Sequence, residues 1–360
     1  MKQLSIDSQA LLREMIATPS LSFEEDKVCS LVSSRLEKWG IEHKIYGRSI
    51  VAVNSNYDPS LPTLALDAHL DTVPAAPSYT RDPFDPGTDP DIIYGLGSND
   101  DGGSVVAMIA AFRWFYDKKM PLNLVLTLTF EEERSGPDGA RLLYSEDGPE
   151  QVRSARWAIV GEPTGMRAAI CERGLLVLDG LAEGVSGHAA RNEGVNALYI
   201  ALDDINALRS HKFTKISPMM GEVKLSVTQI SAGSAHNVIP DKCAFVVDVR
   251  PTESYDNAEI TAELQSLCRS RLTPRNLKNR SSATRQNSPL LACAKALGVE
   301  TFASPTTSNW MRMSCDAIKM GPGESSRSHR ADEFIRCEEI DNAVQSYIKF
   351  IQTFYGNTLE

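Results

Sequence analysis

The chain lacks the features that mark most binding modules and membrane proteins. It has no Cys-x-x-Cys pair, and its seven cysteines (Cys29, Cys171, Cys243, Cys268, Cys293, Cys315 and Cys337) are scattered and odd in number. A complete intrachain disulfide framework is therefore excluded, and reduced, mostly buried thiols are expected. No apolar run approaches the ~18 residues of a membrane span. The opening Met1-Lys-Gln-Leu-Ser-Ile-Asp-Ser8 has no signal-peptide apolar core, so a cytoplasmic protein is expected. Positive charge is short, with 37 Lys and Arg against 47 Asp and Glu and a net charge of −10. That balance argues against a nucleic-acid or anionic-membrane binder, although a few local cations can still receive an anionic substrate. The Gly95-x-Gly97 pair has no third glycine at dinucleotide spacing and reads as a turn. There is no internal repeat and no low-complexity segment.

What is present is the composition of a folded protein. At 360 residues, 42% hydrophobic and 23% charged, the chain fits two domains. Asp7 or Ser8 is placed to cap a first helix carrying Leu11, Leu12, Met15 and Ile16, and Glu24 to Trp39 reads as a second. Ile50–Val53, Thr63–Leu66, Leu122–Phe130 and Trp157–Val160 read as strands, and an apolar helix runs from Ser104 to about Tyr116. Three of these strand-like runs finish on His69/Asp71, on Glu132/Glu133 and on Glu162, and Asp100 stands just before a helix. In an open α/β sheet such tips gather on one edge. Carboxylates crowded there repel one another unless a cation neutralises them. Imidazole and carboxylate donors without thiolates suit Zn²⁺, Co²⁺ or Mn²⁺. Two such ions, about 3.5–4 Å apart, need a bridging acid, terminal ligands and a free base, and the tips supply that inventory.

From about Ala168 the texture changes. Gly174–Gly180, Lys224–Ser231 and Cys243–Arg250 are strand-like, Asn196–Arg209 and Asn257–Arg271 are helical, and Leu272–Ser288 is polar and basic enough to be an exit linker. These elements suit an α+β insert with its own sheet. A helix from Pro289 to Leu297, a short run Ala317–Met320 and a final helix from about Glu338 to Phe354 then resume the earlier βα texture. The expected organisation is a catalytic domain of residues 1–167 and 279–360, interrupted by a smaller domain of residues 168–278.

Seven segments then fall in a telling order. They are His69-Leu-Asp-Thr-Val-Pro74, Gly95-Leu-Gly-Ser-Asn-Asp100, Thr129-Phe-Glu-Glu-Glu133, Gly161-Glu-Pro-Thr164, Gly187-His188-Ala189-Ala190, Asn237-Val-Ile-Pro240 and Ser328-His329-Arg-Ala-Asp-Glu333. Together they resemble the M20 metallopeptidase family, in its acetylornithine deacetylase/succinyl-diaminopimelate desuccinylase branch and nearest the deacetylases, across essentially the whole chain. The resemblance implies an α/β fold: a zinc-exopeptidase-like catalytic domain with a mixed sheet flanked by helices, interrupted by an α+β dimerisation or lid domain. It implies two zinc ions, replaceable by cobalt or manganese. Asp100 would bridge them, His69 and Glu162 would complete one site, and Glu133 and His329 the other. Asp71 would orient His69, and Glu132 would be the general base that takes a proton from the attacking water and passes it to the leaving amine.

In the insert, the resemblance implies that His188 stabilises the developing oxyanion, often in the partner subunit of a homodimer. Asn237 and Arg250 would hold a substrate carboxylate, although Arg250 also has ion-pair partners in Asp248 or Glu253. Gly323, Ser308 and Arg312 are further candidates for substrate contacts, while His43, His211 and His236 read as ordinary. The chain departs from the family where many relatives carry Arg and Lys and it has Leu96 and Gly102, which bears on substrate contacts or packing. The implied activity is hydrolysis of an N-acyl amino acid, N-acetyl- or N-succinyl-ornithine or citrulline, in arginine biosynthesis. Succinyl-diaminopimelate desuccinylase and metallo-dipeptidase activities, and a silent metal- or amino-acid-binding relative, are the alternatives.

Overall fold

The computed structural model describes residues 1–191 and 193–358. It divides into two compact units, the first made of Met1–Ile170, Thr284–Phe302 and Ser308–Glu360, the second of Cys171–Ala283 and Ala303–Thr307. In chain order the elements begin with α1 (Lys2–Ile16), α2 (Asp26–Lys38), β1 (His43–Tyr46), β2 (Ser49–Val53), β3 (Thr63–His69), β4 (Ile92–Tyr94) and α3 (Gly103–Phe115). Next come β5 (Asn123–Thr129), α4 (Ala140–Leu143), α5 (Glu150–Arg153), β6 (Trp157–Val160) and β7 (Ala168–Glu172). The middle of the chain forms β8 (Leu176–Glu183), β9 (Gly187–His188), α6 (Ala197–Ser210), β10 (Lys224–Ala232), β11 (Val238–Ile239), β12 (Lys242–Arg250), α7 (Asn257–Gln265), β13 (Arg271–Pro274) and β14 (Ser282–Ala283). The chain closes with α8 (Pro289–Ala296), β15 (Thr301–Ser304), β16 (Asp316–Lys319), β17 (Phe334–Arg336) and α9 (Cys337–Thr358).

The first unit is built on a mixed sheet in the order β1-β2-β5-β3-β6-β16-β7. Its centre, β5-β3-β6-β16, is parallel, whereas β1 with β2, β2 with β5 and β16 with β7 are antiparallel. The four central strands are buried at every residue, as strands covered on both faces must be. α3 supplies part of that cover through Val105, Met108, Ile109, Phe112 and Phe115, and α9 through Ile340, Val344, Tyr347, Ile351 and Phe354. Parallel strands end on the same edge. The chain therefore leaves β3 at His69, β5 at Thr129, β6 at Val160 and β16 at Lys319 along one rim.

The second unit has its own four-stranded antiparallel sheet, β10-β12-β8-β13. Leu176, Leu178, Phe245, Val247 and Val249 point from it into a core closed by Ile200, Leu208, Ile260 and Leu264 of α6 and α7. All seven cysteines are free, and among the described residues no helix is long and apolar enough to cross a membrane.

Three expectations need correction. α1 starts at Lys2, five residues before the expected cap, because Leu4 already belongs to its buried face. Asp7 is instead taken by Arg113 at 2.5 Å and Gln3 at 2.8 Å, and the Ser8 hydroxyl donates to the Val106 carbonyl. α7 stops at Gln265, whose side chain accepts from Leu272 N–H and donates to Ser270 O, folding the chain back. The segment expected as a linker then supplies the edge strand β13, paired along β8; its polar residues suit an edge. β7 and the β4–β17 ribbon were not foreseen, being short and without alternation.

Gly102 explains one departure from the family pattern. A Cβ there would lie 2.4 Å from the Gly97 carbonyl oxygen and 2.6 Å from Leu12 Cδ1. Leu12 can move, but the backbone oxygen cannot. Leu96 is likewise buried, at 5% exposure, so both positions belong to packing. Gly102→Ala is expected to cost about 1–3 kcal/mol through overpacking, read as a lowered urea midpoint; an unchanged midpoint would show that the turn relaxes freely.

Candidate active site

The rim of the parallel strands carries the polar residues, and Asp71 ties two of its segments together. His69, the last residue of β3, is buried, with Nε2 3.3 Å from Asp100 Oδ1. Its Nδ1 lies 3.0 Å from the Asp71 carbonyl oxygen and 3.4 Å from Asp71 Oδ1. The same carboxylate accepts the backbone N–H of Glu132 at 3.0 Å on Oδ1 and that of Glu133 at 3.1 Å on Oδ2, with the Ser22 hydroxyl at 2.7 Å. Those amides are turned toward it because two residues beyond β5 the chain passes through a left-handed residue, Glu131 (φ 60°), whose N–H is held by the buried Glu25. The 3₁₀ turn Glu132–Arg134 follows at once.

Asp100 is placed by a second clamp. The backbone N–H groups of Asn99 and Asp100 both donate to Glu333 Oε1 at 2.9 Å. Asp100 thereby faces two imidazoles, with Oδ1 on His69 and Oδ2 3.7 Å from His329 Nε2. His329 Nε2 is also 2.9 Å from Glu133 Oε1. Among the described residues two sets of possible ligand atoms gather within 4.8 Å, His69/Glu132/Glu133 and Asp100/Glu133/His329, and Glu133 belongs to both. Glu162, two residues beyond β6, is in neither set, yet its carboxylate feels the charges of Asp100, Lys319, Glu132 and His69.

The electrostatics show the strain of this crowding. Burial, reinforced by the charges of Glu133, Asp71 and Asp100, pushes the Glu132 carboxyl well above its ordinary range. Burial and then Asp100 do the same to Glu162. Burial opposes protonation of His69, but its bonds to Asp100 and Asp71 prevail and its pKa is raised. Glu133 raises that of His329 to about 9. For Asp100 burial pushes upward, and the bond to His69 outweighs it, so that its carboxyl is lowered. A cluster of buried and half-buried carboxylates with two imidazoles among the described residues is the donor chemistry that a hard or borderline divalent cation neutralises. The residues fit such an ion.

The remaining candidates belong to other segments of the chain. In the second unit, His188 is exposed on β9, which pairs with β11, and Ala189 N–H donates to Asn237 O at 3.0 Å, so the His188 and Asn237 segments are neighbours. Arg250 ends β12 with its guanidinium paired to both oxygens of Asp248, at 2.8 and 3.0 Å. In the first unit, Ser308 is fully buried and caps the 3₁₀ turn Asn309–Arg312 by accepting Trp310 N–H. Gly323 has φ +80°, and a Cβ there would meet Asn99 Oδ1 at 2.3 Å, so the left-handed backbone and the close Asn99 side chain favour glycine. Three buried acids had no role in the sequence reading. Glu333 is the clamp described above; its acid is pushed to about 8 by burial and by Asp100. Asp101 accepts His69 N–H at 3.3 Å, and burial pushes it to about 8. Asp67 lies on β3, and burial pushes it to about 6. Asp67 alone had a visible signal, a charge in the middle of an apolar strand.

Imidazoles and carboxylates gathered at the carboxyl edge of a mixed α/β sheet define a metallo-hydrolase site. The chain belongs to peptidase family M20/M25/M40, whose family model matches residues 65–353. A curated succinyl-diaminopimelate desuccinylase of Stenotrophomonas maltophilia is 27% identical, over 94% of this chain and 96% of its own length. Among solved structures, the aminopeptidase PepT of Bacillus cereus superposes with a TM-score of 0.77 at 14% identity, covering 97% of this chain and 98% of that one. A Bacillus subtilis protein described as a dinuclear metal-binding peptidase of family M20 gives 0.74 at 15% identity, covering 97% and 98%. The mixed sheet flanked by helices is thus the M20 fold.

The shifts fix a pH dependence for the metal-free protein. Glu132 and Glu162 are raised above their ordinary 4.5, and His329 is raised from 6.5 to about 9. In each case the folded state binds more protons than the unfolded one, so stability falls as pH rises through the window between about 4.5 and 9. A divalent ion must displace those protons, so its uptake at neutral pH releases them and its affinity rises with pH. Thermal melts of chelated protein at pH 5.5 and 8.5, and calorimetry of zinc uptake in buffers of different ionisation heat, read both effects. A flat stability profile with no proton release would contradict this electrostatic picture.

Proposed function

We propose that this hydrolase cleaves the amide bond of an N-acyl amino acid, with His69, Asp100, Glu133, Glu162 and His329 holding two divalent ions, zinc in the first place. The observation that carries the reading is the double contact of Asp100, one oxygen on each imidazole, beside Glu133, which both ligand sets share. Bound there, the ions supply Lewis acidity and neutralise the charge of the cluster. Glu132 is the general base: it takes a proton from the attacking water and returns it to the leaving amine. Asp71 holds the turn that carries it through the Glu132 and Glu133 amides, so little orientational freedom is lost at the moment of reaction. The roles of His188 as oxyanion donor, and of Asn237 and Arg250 as grips on the amine's carboxylate, come with the family resemblance, as do a homodimer and a cytoplasmic setting.

Within this class two substrates compete. The resemblance points to an acylated ornithine or citrulline and arginine biosynthesis. The names of the curated relatives favour N-succinyl-diaminopimelate. Amine release from N-acetyl-ornithine, N-succinyl-ornithine, N-acetyl-citrulline and N-succinyl-diaminopimelate, after zinc loading and with a chelator control, separates them. A preference of about 100-fold in kcat/KM is about 2.7 kcal/mol of transition-state discrimination and names the substrate.

Glu132→Gln is expected to keep the metal content and to lower kcat by about 10²–10⁴, the share of a positioned base; unchanged turnover would remove Glu132 from the role. His188→Ala is expected to lower kcat by about 10²–10³, the loss seen for one oxyanion donor, with metal content unaltered. Normal turnover of that variant would leave His188 structural.

A further inference from the structure

His329 is the proposed ligand that packing aims least. Its side chain is 54% exposed, against 2% for His69, 10% for Asp100 and 9% for Glu133. The direction of its ring is therefore set by the backbone that carries it. That backbone is left-handed at His329 (φ 57°) and again at Asp332 (φ 56°). A residue other than glycine seldom keeps a positive φ unless the surrounding structure holds it there.

Two consecutive acids hold this turn. Glu333, at its downstream end, accepts the Asn99 and Asp100 amides, and its carbonyl accepts Gly95 N–H at 2.8 Å. Asp332 reaches a different segment, the loop between β3 and β4. Its Oδ1 accepts Thr80 N–H at 2.9 Å and Arg81 N–H at 3.1 Å, and its Oδ2 accepts the Thr80 hydroxyl at 2.6 Å. That loop is itself anchored: Leu96 N–H donates to Pro83 O at 2.8 Å, and the Arg81 guanidinium lies 3.9 Å over the Tyr94 ring. Tyr94 is paired with Phe334, the residue after Glu333, in the β4–β17 ribbon. Thr80 and Asp332, 252 positions apart in the chain, thus lock the turn to an anchored neighbour.

We propose that Asp332 is a positioning residue: by holding Thr80 and Arg81 it fixes the left-handed turn and aims His329 at the cation site shared with Asp100 and Glu133. The proposal rests on the ligand set put forward above. Asp332 serves that site through the backbone, its carboxylate being engaged by three donors. An imidazole already aimed loses little freedom when an ion binds, and groups that orient ligands are worth about 10–100-fold in metal affinity.

The test reads zinc affinity in metal-buffered titrations of chelator-stripped wild type, D332A, D332N, T80A and H329A. H329A identifies the ion that His329 holds. D332A is expected to weaken that same ion by about 10-fold or more and to leave the other within about 3-fold. T80A removes one of the three bonds and is expected to weaken it by about 3-fold. Thr80 is exposed, so this variant keeps the test open if D332A misfolds. D332N is expected to stay within about 3-fold of wild type, because its amide oxygen still accepts both backbone N–H groups while the charge is gone. Affinity unchanged in the folded D332A or T80A, equal weakening of both ions, or D332N as weak as D332A overturns the proposal; the last result would assign the effect to charge and not to position. If H329A binds zinc as wild type does, or wild type binds none, the ligand reading fails, and the His329 ring resonances of the metal-free proteins decide. Resonances shifted in D332A and restored in D332N support the clamp, and resonances the same in all three proteins refute it.

Discussion

The candidate site depends on one carboxylate doing two tasks. Asp71 meets the His69 ring and also accepts the amides of Glu132 and Glu133. Those residues come from two different strand ends, and no covalent link joins them. Hydrogen bonds from backbone amides to an ionised acceptor are among the stronger ones available, and Asp71 is buried at 1% exposure where they are little screened. Its own carboxyl is lowered against the burial that would raise it, through His69, Ser22 and the Glu132 amide. The turn after β5 is thereby registered to the end of β3.

Around that anchor the fold spends stability on crowding. Glu132, Glu162, Asp101 and Glu333 are all acids pushed above their ordinary range, burial being the first cause in each. A fold that only had to be stable would not bury so many carboxylates together. Perturbed groups gathered at one strand edge are a sign of function with a physical basis. The clamp of Glu333 on the Asn99 and Asp100 amides, and the bond that the Asn309 side chain donates to Asp67, tie buried acids to the segments around them.

The strands were legible where apolar runs are long and bounded by polar tips: Trp157–Val160 is found as read, and β5 differs from its expected run by one residue at each end. α3 was legible from its unbroken apolar texture. The start of α1 was missed because a good capping residue is only a local signal, and the burial of Leu4 together with the Asp7–Arg113 pair overrode it. β13 was missed because an edge strand needs no alternation, and its partner β8 lies about ninety residues earlier in the chain. Asp101 and Glu333 were unreadable for a similar reason: each acts on backbone amides brought to it by the fold, and no residue pattern records that.

The sequence by itself determined the sheet-edge chemistry: which acids and imidazoles follow which apolar runs, the order of the motifs and, through that order, the family. Those are properties of neighbours in the chain, where periodicity and turn signals act. Tertiary structure alone decided that Asp100 touches both His69 and His329, that Glu133 stands in both ligand sets, and that Tyr144 and Asn309 share one anchor in Asp67. Contacts between residues up to two hundred and more positions apart depend on parallel strands ending on a common edge, and on which buried polar groups must find partners once water is excluded.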